Sequence, residues 1–86
     1  MKILFHKNFE KQYKRLSSKT RSQFKKRLKI FTKNPFDPIL HNHVLGGERQ
    51  DFRSINVTGD FRALYVIIDE DTVQFMVIDT HSNLYS

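Results

Sequence analysis

The 86-residue chain has no cysteine and no tryptophan, only two prolines and three glycines, and fewer acids than bases. Each shortage removes a class of answer. Without cysteine there is no disulfide framework, so a fold this small must hold by packing alone; a secreted chain of this size would ordinarily be stapled. So few prolines and glycines leave no linker, and the sequence shows neither an internal repeat nor a low-complexity segment. Long apolar runs are missing too. Near the start, "MKILFHKNFEKQ" offers only Ile3 to Phe5, far too short for a secretion signal or a membrane span. We therefore expect one cytoplasmic domain over residues 1–86 with no membrane contact. Such a length supports a single core that buries about 60–65% of the unfolded surface.

What the chain does have is charge, unevenly placed. Residues 1–43 carry twelve Lys and Arg against Glu10 and Asp37, a net +10; residues 44–86 carry three Arg against seven acids, a net −4. Segregation of this kind points to a face for a polyanion, nucleic acid being the commonest, although a solvated lysine-rich surface would look the same.

Periodicity gives the elements. "KILF" at 2–5 reads as a short strand. "NFEKQYKRL" at 8–16 reads as a helix with Asn8 as N-cap and Phe9, Tyr13 and Leu16 on one face. A second helix follows at 17–34, capped by Ser17 or Ser18, with the stripe Phe24, Leu28 and Phe31, and ended by Pro35. The short link predicts an antiparallel helical hairpin. Its polar faces are cationic: Lys7, Lys11, Lys14, Arg15, Lys19, Arg21, Lys25, Lys26, Arg27, Lys29 and Lys33. Lys25 and Lys29 stand at the repulsive i,i+4 spacing, a cost that a bound polyanion would relieve. "PFDPILHNHVLGG" at 35–47 reads as a loop. Strand-like runs at 51–57, 61–68 and 72–78, joined by "TGD" and "DED", predict an antiparallel meander, with the solidly apolar 61–68 run as a central strand. The expected fold is α+β: a two-helix hairpin packed on a small, mainly antiparallel sheet, in the order β-α-α-β-β-β.

Several chemistries find little support. His6, His41, His43 and His81 include the ligand-like spacing His41-x-His43, but there is no cysteine, no HExxH and no clustered carboxylate, so we expect neither metal nor cofactor. Gly46-Gly47 precedes a strand rather than a helix and forms no phosphate cradle. Ser17, Ser18, Ser22 and Ser54 fall in caps, a polar helix face and a strand, not at a nucleophile elbow. A third constellation is more useful. Asp60 and Arg62 flank Phe61 at the entry to one strand, and His81 lies just past the end of the next. In a meander these positions meet at one edge; His43 and Tyr85 are candidates to complete the group. Metal-free RNA cleavage needs a base at the 2′-OH, an acid at the leaving 5′-oxygen and positive charge on the phosphate. Histidine suits the first two roles, arginine the third, and an aromatic stacks on a base. Equally, Asp60 can fix a turn, Arg62 can pair with it, and His81 can cap the strand end.

The motifs resemble a known family. "NVTGDFRALYVI" at 56–67 resembles the G-D-[YFW]-R-x-x-Y core of the RelE/ParE superfamily of toxins from bacterial toxin–antitoxin pairs. "HNHVLGG" at 41–47 resembles the H-x-L-x-G step of its YafQ branch, and "DTHSNLYS" at 79–86 resembles that branch's T-H-x-x-L-F ending. The resemblance spans the chain and implies the same β-α-α-β-β-β fold. It implies a ribosome-dependent, metal-independent mRNA endoribonuclease acting in the ribosomal A site, contacting mRNA and ribosomal RNA, and silenced by a cognate antitoxin. The toxin alone would be a monomer and a hetero-oligomer with that partner.

Carried over by position, His43 matches the branch's first catalytic histidine, Asp60 its aspartate, Phe61 its following aromatic, His81 its C-terminal histidine and Tyr85 its closing aromatic. Arg62 matches a phosphate-stabilising arginine of the RelE branch. The expected catalytic set is His43, Asp60, Arg62, His81 and Tyr85. Phe61, Lys7, Lys11, Lys14, Arg15, Arg21, Lys25, Lys26 and Lys29 are expected to meet RNA. The chain departs from the branch at Asn56, where relatives often carry a second histidine, and at Val77, where they carry an arginine. Two other readings stay open: a ParE-like toxin that poisons DNA gyrase, and a degenerate toxin that only binds its antitoxin.

Overall fold

A computed structural model describes residues 1–85. The elements are β1 (Lys2–Phe5), α1 (Lys7–Lys14), α2 (Ser18–Lys33), β2 (His43–Val44), β3 (Arg53–Asn56), β4 (Phe61–Asp69), β5 (Thr72–Thr80) and α3 (His81–Leu84), with short 3-10 turns at Pro38–Leu40 and Gly47–Arg49. The sheet runs β1-β5-β4-β3-β2. β1 pairs with β5 in parallel, and the other pairs are antiparallel, including the β3–β4–β5 meander.

Local chemistry sets most boundaries. α1 is capped by His6 rather than Asn8: the His6 Nδ1 accepts the Asn8 N–H at 3.0 Å. α1 also ends earlier than the apolar stripe suggests, because the Arg15 and Leu16 N–H groups turn back to the Gln12 and Tyr13 carbonyls, both at 3.1 Å. Ser17 caps α2 through its Oγ, which accepts the Thr20 N–H at 3.1 Å. α2 stops at Lys33, before the Asn34-Pro35 step. Inside the segment expected to be only loop, His43 and Val44 add β2 to the sheet edge against Ser54 and Arg53. β5 runs two residues past its expected end and leads straight into α3, which apolar periodicity over so few residues does not announce.

The helical hairpin covers one face of the sheet. Phe9, Phe24 and Phe31 from the helices meet Ile55, Ala63, Tyr65, Val73, Phe75 and Ile78 from the strands and Val57 just after β3. Phe75 is the hub: its ring centroid lies 5.8 Å from Phe9, 5.6 Å from Phe24, 5.5 Å from Phe31 and 5.4 Å from Tyr65. Burying each such ring contributes about 1.5–3 kcal/mol. A second, smaller cluster of Leu45, Leu64 and Leu84, flanked by Phe52 and Val77, lies apart from the first. β4 is central, as expected, but its far end is not enclosed: Ile67 and Ile68 are 61% and 52% exposed.

One irregularity decides which side chains reach each face. Leu64 pairs with Val77 and Tyr65 with Phe75, so Met76 is an extra residue in β5. A bulge reverses the alternation beyond it. Phe75 and Ile78 therefore both face the helices, while Val77 joins the opposite cluster. α1 takes up the backbone groups around the bulge. Asn8 Nδ2 donates to the Met76 carbonyl at 3.2 Å, and Gln12 Oε1, one turn later, accepts the Ile78 N–H at 2.9 Å. Asn8 thus serves the bulge rather than the helix cap. No helix among the described residues is long and apolar enough to cross a membrane.

Candidate active site

On the sheet face away from the helices, Arg62 stands between its cross-strand neighbours Asn56 on β3 and Asp79 on β5. The adjoining turn is fixed by Thr58, whose Oγ1 accepts the N–H groups of Asp60 and Phe61 at 3.1 and 2.9 Å. The Arg62 Nη1 folds over this turn, donating to the carbonyls of Thr58 and Phe61 at 3.0 Å each and approaching that of Gly59 at 3.4 Å. Asp79 does not neutralise it. The Asp79 Oδ1 instead accepts the Thr80 N–H at 2.7 Å and the Asn83 Nδ2 at 3.0 Å. Among the described residues Arg62 forms no ion pair, so its charge remains available to an anion.

α3 brings in the C-terminal pair. Thr80 caps it, with Oγ1 accepting the Asn83 N–H at 3.2 Å. The His81 N–H donates to the Asp60 carbonyl at 2.7 Å, which ties α3 to the start of β4. Leu84 buries its side chain in the second cluster, and Arg49 Nη1 donates to the Leu84 carbonyl at 2.7 Å. These anchors hold the rings of His81 and Tyr85 together, centroids 4.5 Å apart and planes at 36°. Tyr85 is 45% exposed and so presents an open aromatic face.

β2 supplies the opposite wall. The His43 Nδ1 meets the His41 carbonyl at 2.7 Å. Asn42, between the two histidines, donates through Nδ2 to the Pro35 carbonyl at 2.9 Å and the Tyr65 hydroxyl at 2.7 Å, and its Oδ1 accepts from Arg53 Nε at 2.9 Å.

These parts enclose an open cleft of about 510 Å³ lined by His41, Asn42, His43, Asn56, Arg62, His81 and Tyr85. The lining holds three imidazoles and one guanidinium and no carboxylate, a set suited to an anion with transferable protons nearby. Four of the five residues expected to be catalytic, His43, Arg62, His81 and Tyr85, are brought together. Asp60 is not part of the lining; it contributes its main-chain carbonyl to His81. Of the two expected departures from the branch, Asn56 lines the cleft, and Val77 packs with the second cluster instead. His41 and Asn42 enter unexpectedly. The His41-x-His43 spacing was their one sequence signal, and it pointed toward a metal. Among the described residues no three His, Cys, Asp or Glu side chains gather as a metal site.

The expected RNA contacts distribute differently. Phe61 is half-buried against the helix-side core, since Arg62 takes the cleft side of β4. Lys7, Lys11, Lys14, Arg15, Lys25, Lys26 and Lys29 are exposed on the helical layer, the side of the sheet away from the cleft. Arg21 is partly buried and donates to the Leu16 carbonyl, so it braces the hairpin. Lys26, with Lys19 and Arg27, lines a hollow that reaches Thr58 and Gly59, the turn that Arg62 clasps.

Comparison with known structures gives the same architecture. The crystal structure of YafQ from Escherichia coli BL21(DE3) superposes with a TM-score of 0.80 at 18% identity, covering 98% of this chain and 97% of that one. A YoeB/ParE toxin from Agrobacterium tumefaciens gives 0.78 at 15% identity, covering 94% and 99%. The E. coli DinJ–YafQ complex gives 0.70 at 20% identity, covering 98% and 97%. No curated protein sequence matches. The family model of YafQ, the bacterial toxin of a type II toxin–antitoxin system, matches residues 1–86, and the chain belongs to that toxin family.

Proposed function

We propose that this toxin is a ribosome-dependent, metal-independent mRNA endoribonuclease. The observation that carries the reading is the convergence of His43, His81 and Arg62 on one open cleft that contains no acidic side chain. In the reaction the 2′-oxygen forms a bond to the adjacent phosphorus while the P–O5′ bond breaks. Imidazolium at His81 gives its proton to the departing 5′-oxygen. His43 or Asp60 takes the 2′-OH proton, and of the two His43 lines the cleft. Arg62 meets the phosphate with Nε and Nη2, its contacts to the turn being made through Nη1 alone. Arg62 is also the answer to Val77. It lies on the same sheet face, two cross-strand pairs along, and can supply the charge that relatives place on β5. Tyr85 offers its exposed face to a base.

The exposed lysines of α1 and α2 would grip ribosomal RNA while the cleft takes the message. This division of labour suits their placement on opposite layers of the sheet. A cognate antitoxin is the expected protein partner, by analogy with the DinJ–YafQ assembly, and the site of action is wherever ribosomes translate. Expression of the chain is expected to arrest growth and cut translated mRNA, and His81→Ala is expected to abolish both. DNA damage without RNA cleavage would replace this reading with a gyrase-poisoning one. Antitoxin binding with no toxicity would mark a degenerate toxin.

A further inference from the structure

The segment His41–Asn42–His43 has a geometry that the cleft as such does not require. His41 has φ +47°, making it the one non-glycine residue among those described with positive φ. This left-handed conformation is uncommon for a non-glycine residue, although histidine tolerates it better than most. Here the His41 N–H closes the 3-10 turn on the Pro38 carbonyl at 3.2 Å, and its own carbonyl is aimed at the His43 ring. A carbonyl oxygen has no proton to give. The 2.7 Å contact between it and His43 Nδ1 is therefore a hydrogen bond only when Nδ1 carries the hydrogen. In the neutral ring the lone pair then resides on Nε2, which has no partner among the described residues.

Asn42 locks this arrangement from the other side. Both ends of its amide are engaged: Nδ2 by the Pro35 carbonyl and the Tyr65 hydroxyl, Oδ1 by Arg53. Tyr65 is 2% exposed and packed on Phe31 and Phe75, so Asn42 is tied to the rigid part of the molecule. Arg53 is itself held over the Phe36 ring at 5.3 Å. The loop that shapes the His41 backbone is thereby fastened at both flanks.

We propose that the His41 main chain and the Asn42 side chain are positioning elements that hold His43 as its Nδ1–H tautomer, leaving Nε2 as the proton acceptor in the cleft. This rests on the ribonuclease reading for what the acceptor does, and it assigns the 2′-OH proton to His43 rather than Asp60. The protons balance. His43 Nε2 gains the 2′-OH proton and becomes imidazolium; His81 loses one to the 5′-oxygen and becomes neutral; the phosphodiester becomes a 2′,3′-cyclic phosphodiester.

The test reads the tautomer directly, by long-range proton–nitrogen NMR of the full chain labelled at histidine nitrogen, with His43→Gln used to assign the signal. The expected result is a proton on Nδ1 and none on Nε2 in the neutral His43 ring. His41→Gly, which tolerates the left-handed backbone, is expected to keep that tautomer. His41→Val, which does not, is expected to admit the Nε2–H form. Asn42→Ala is expected to do the same and to slow mRNA cleavage by up to about a hundredfold. An Nε2–H tautomer in the native chain, or an unchanged one in folded His41→Val and Asn42→Ala, would overturn the proposal. A chain that cuts no mRNA defeats the ribonuclease reading instead, and the spectrum still decides the positioning.

Discussion

The main-chain N–H of His81 donates to the main-chain carbonyl of Asp60 at 2.7 Å. Two motifs separated by twenty residues of strand and hairpin are joined by this bond, which fixes the start of α3 against the start of β4. The link runs through the Asp60 backbone, so the side chain is dispensable for placing His81. Asp60→Asn is expected to keep mRNA cleavage within about tenfold of the native chain, whereas His43→Ala is expected to lose a hundredfold or more. Equal losses from both, in a translation reaction, would return Asp60 to the role of base.

Leu84 is the mechanical anchor of the C-terminal pair. It is 8% exposed and packs with Leu45 and Leu64, one residue before Tyr85. Leu84→Ala is expected to cost about 2–4 kcal/mol by chemical denaturation. Cleavage should fall further than stability alone explains, because α3 then releases both His81 and Tyr85. Full activity in a folded Leu84→Ala chain would show that α3 needs no such anchor.

The bulge at Met76 makes a separate prediction. Asn8 and Gln12 satisfy its backbone groups from α1. Asn8→Ala and Gln12→Ala are each expected to destabilise by about 1–2 kcal/mol. The double variant should show a coupling beyond the sum, since both serve one backbone irregularity. Urea unfolding midpoints measure this. Neutral single variants would mean that the bulge is fixed by the register with β4 alone.

Ser54 offers a change in the opposite direction. It is fully buried beside His43 and Leu64 in the sheet, and its Oγ has no hydrogen-bond partner among the described residues. Removing an orphaned hydroxyl recovers its desolvation cost. Ser54→Ala is expected to raise stability by about 1 kcal/mol, read as a higher melting temperature. A loss of stability would reveal a bound water or a partner that the hydroxyl serves.

Much of this was legible in the sequence, for identifiable reasons. Phe9, Phe24 and Phe31 fall on the apolar stripes of two helical segments, and the runs at 51–57, 61–68 and 72–78 are strand-like in composition with short links between them, so the α+β sandwich and its meander are legible. Short links then fix the pairing that brings Arg62 near His81. The parallel edge strand β1 did not announce its partner, because four residues carry no pairing information. β2 and α3 are too short for a periodic signal; each exists through tertiary contacts, the first with Ser54 and Arg53, the second through Leu84 and Arg49. The extra residue at Met76 is invisible in composition, yet it decides that Val77 faces the second cluster. The RNA contact expected of Phe61 rests on its match to the family's aromatic position; alternation along β4 sends its side chain to the helix side. The roles of His41 and Asn42 depend on a left-handed backbone and a tyrosine twenty-three residues away, neither of which a local motif encodes.

The most direct test of the central claim is to map the ends of mRNA fragments produced in a translation reaction by the native chain and by His81→Ala. In-line attack by the 2′-OH, with His81 protonating the leaving oxygen, predicts fragments with a 5′-hydroxyl on one side and a 2′,3′-cyclic or 3′-phosphate on the other. They should appear only on translated message and vanish in the variant. Fragments ending in 5′-phosphate, or equal cutting by His81→Ala, would contradict the account.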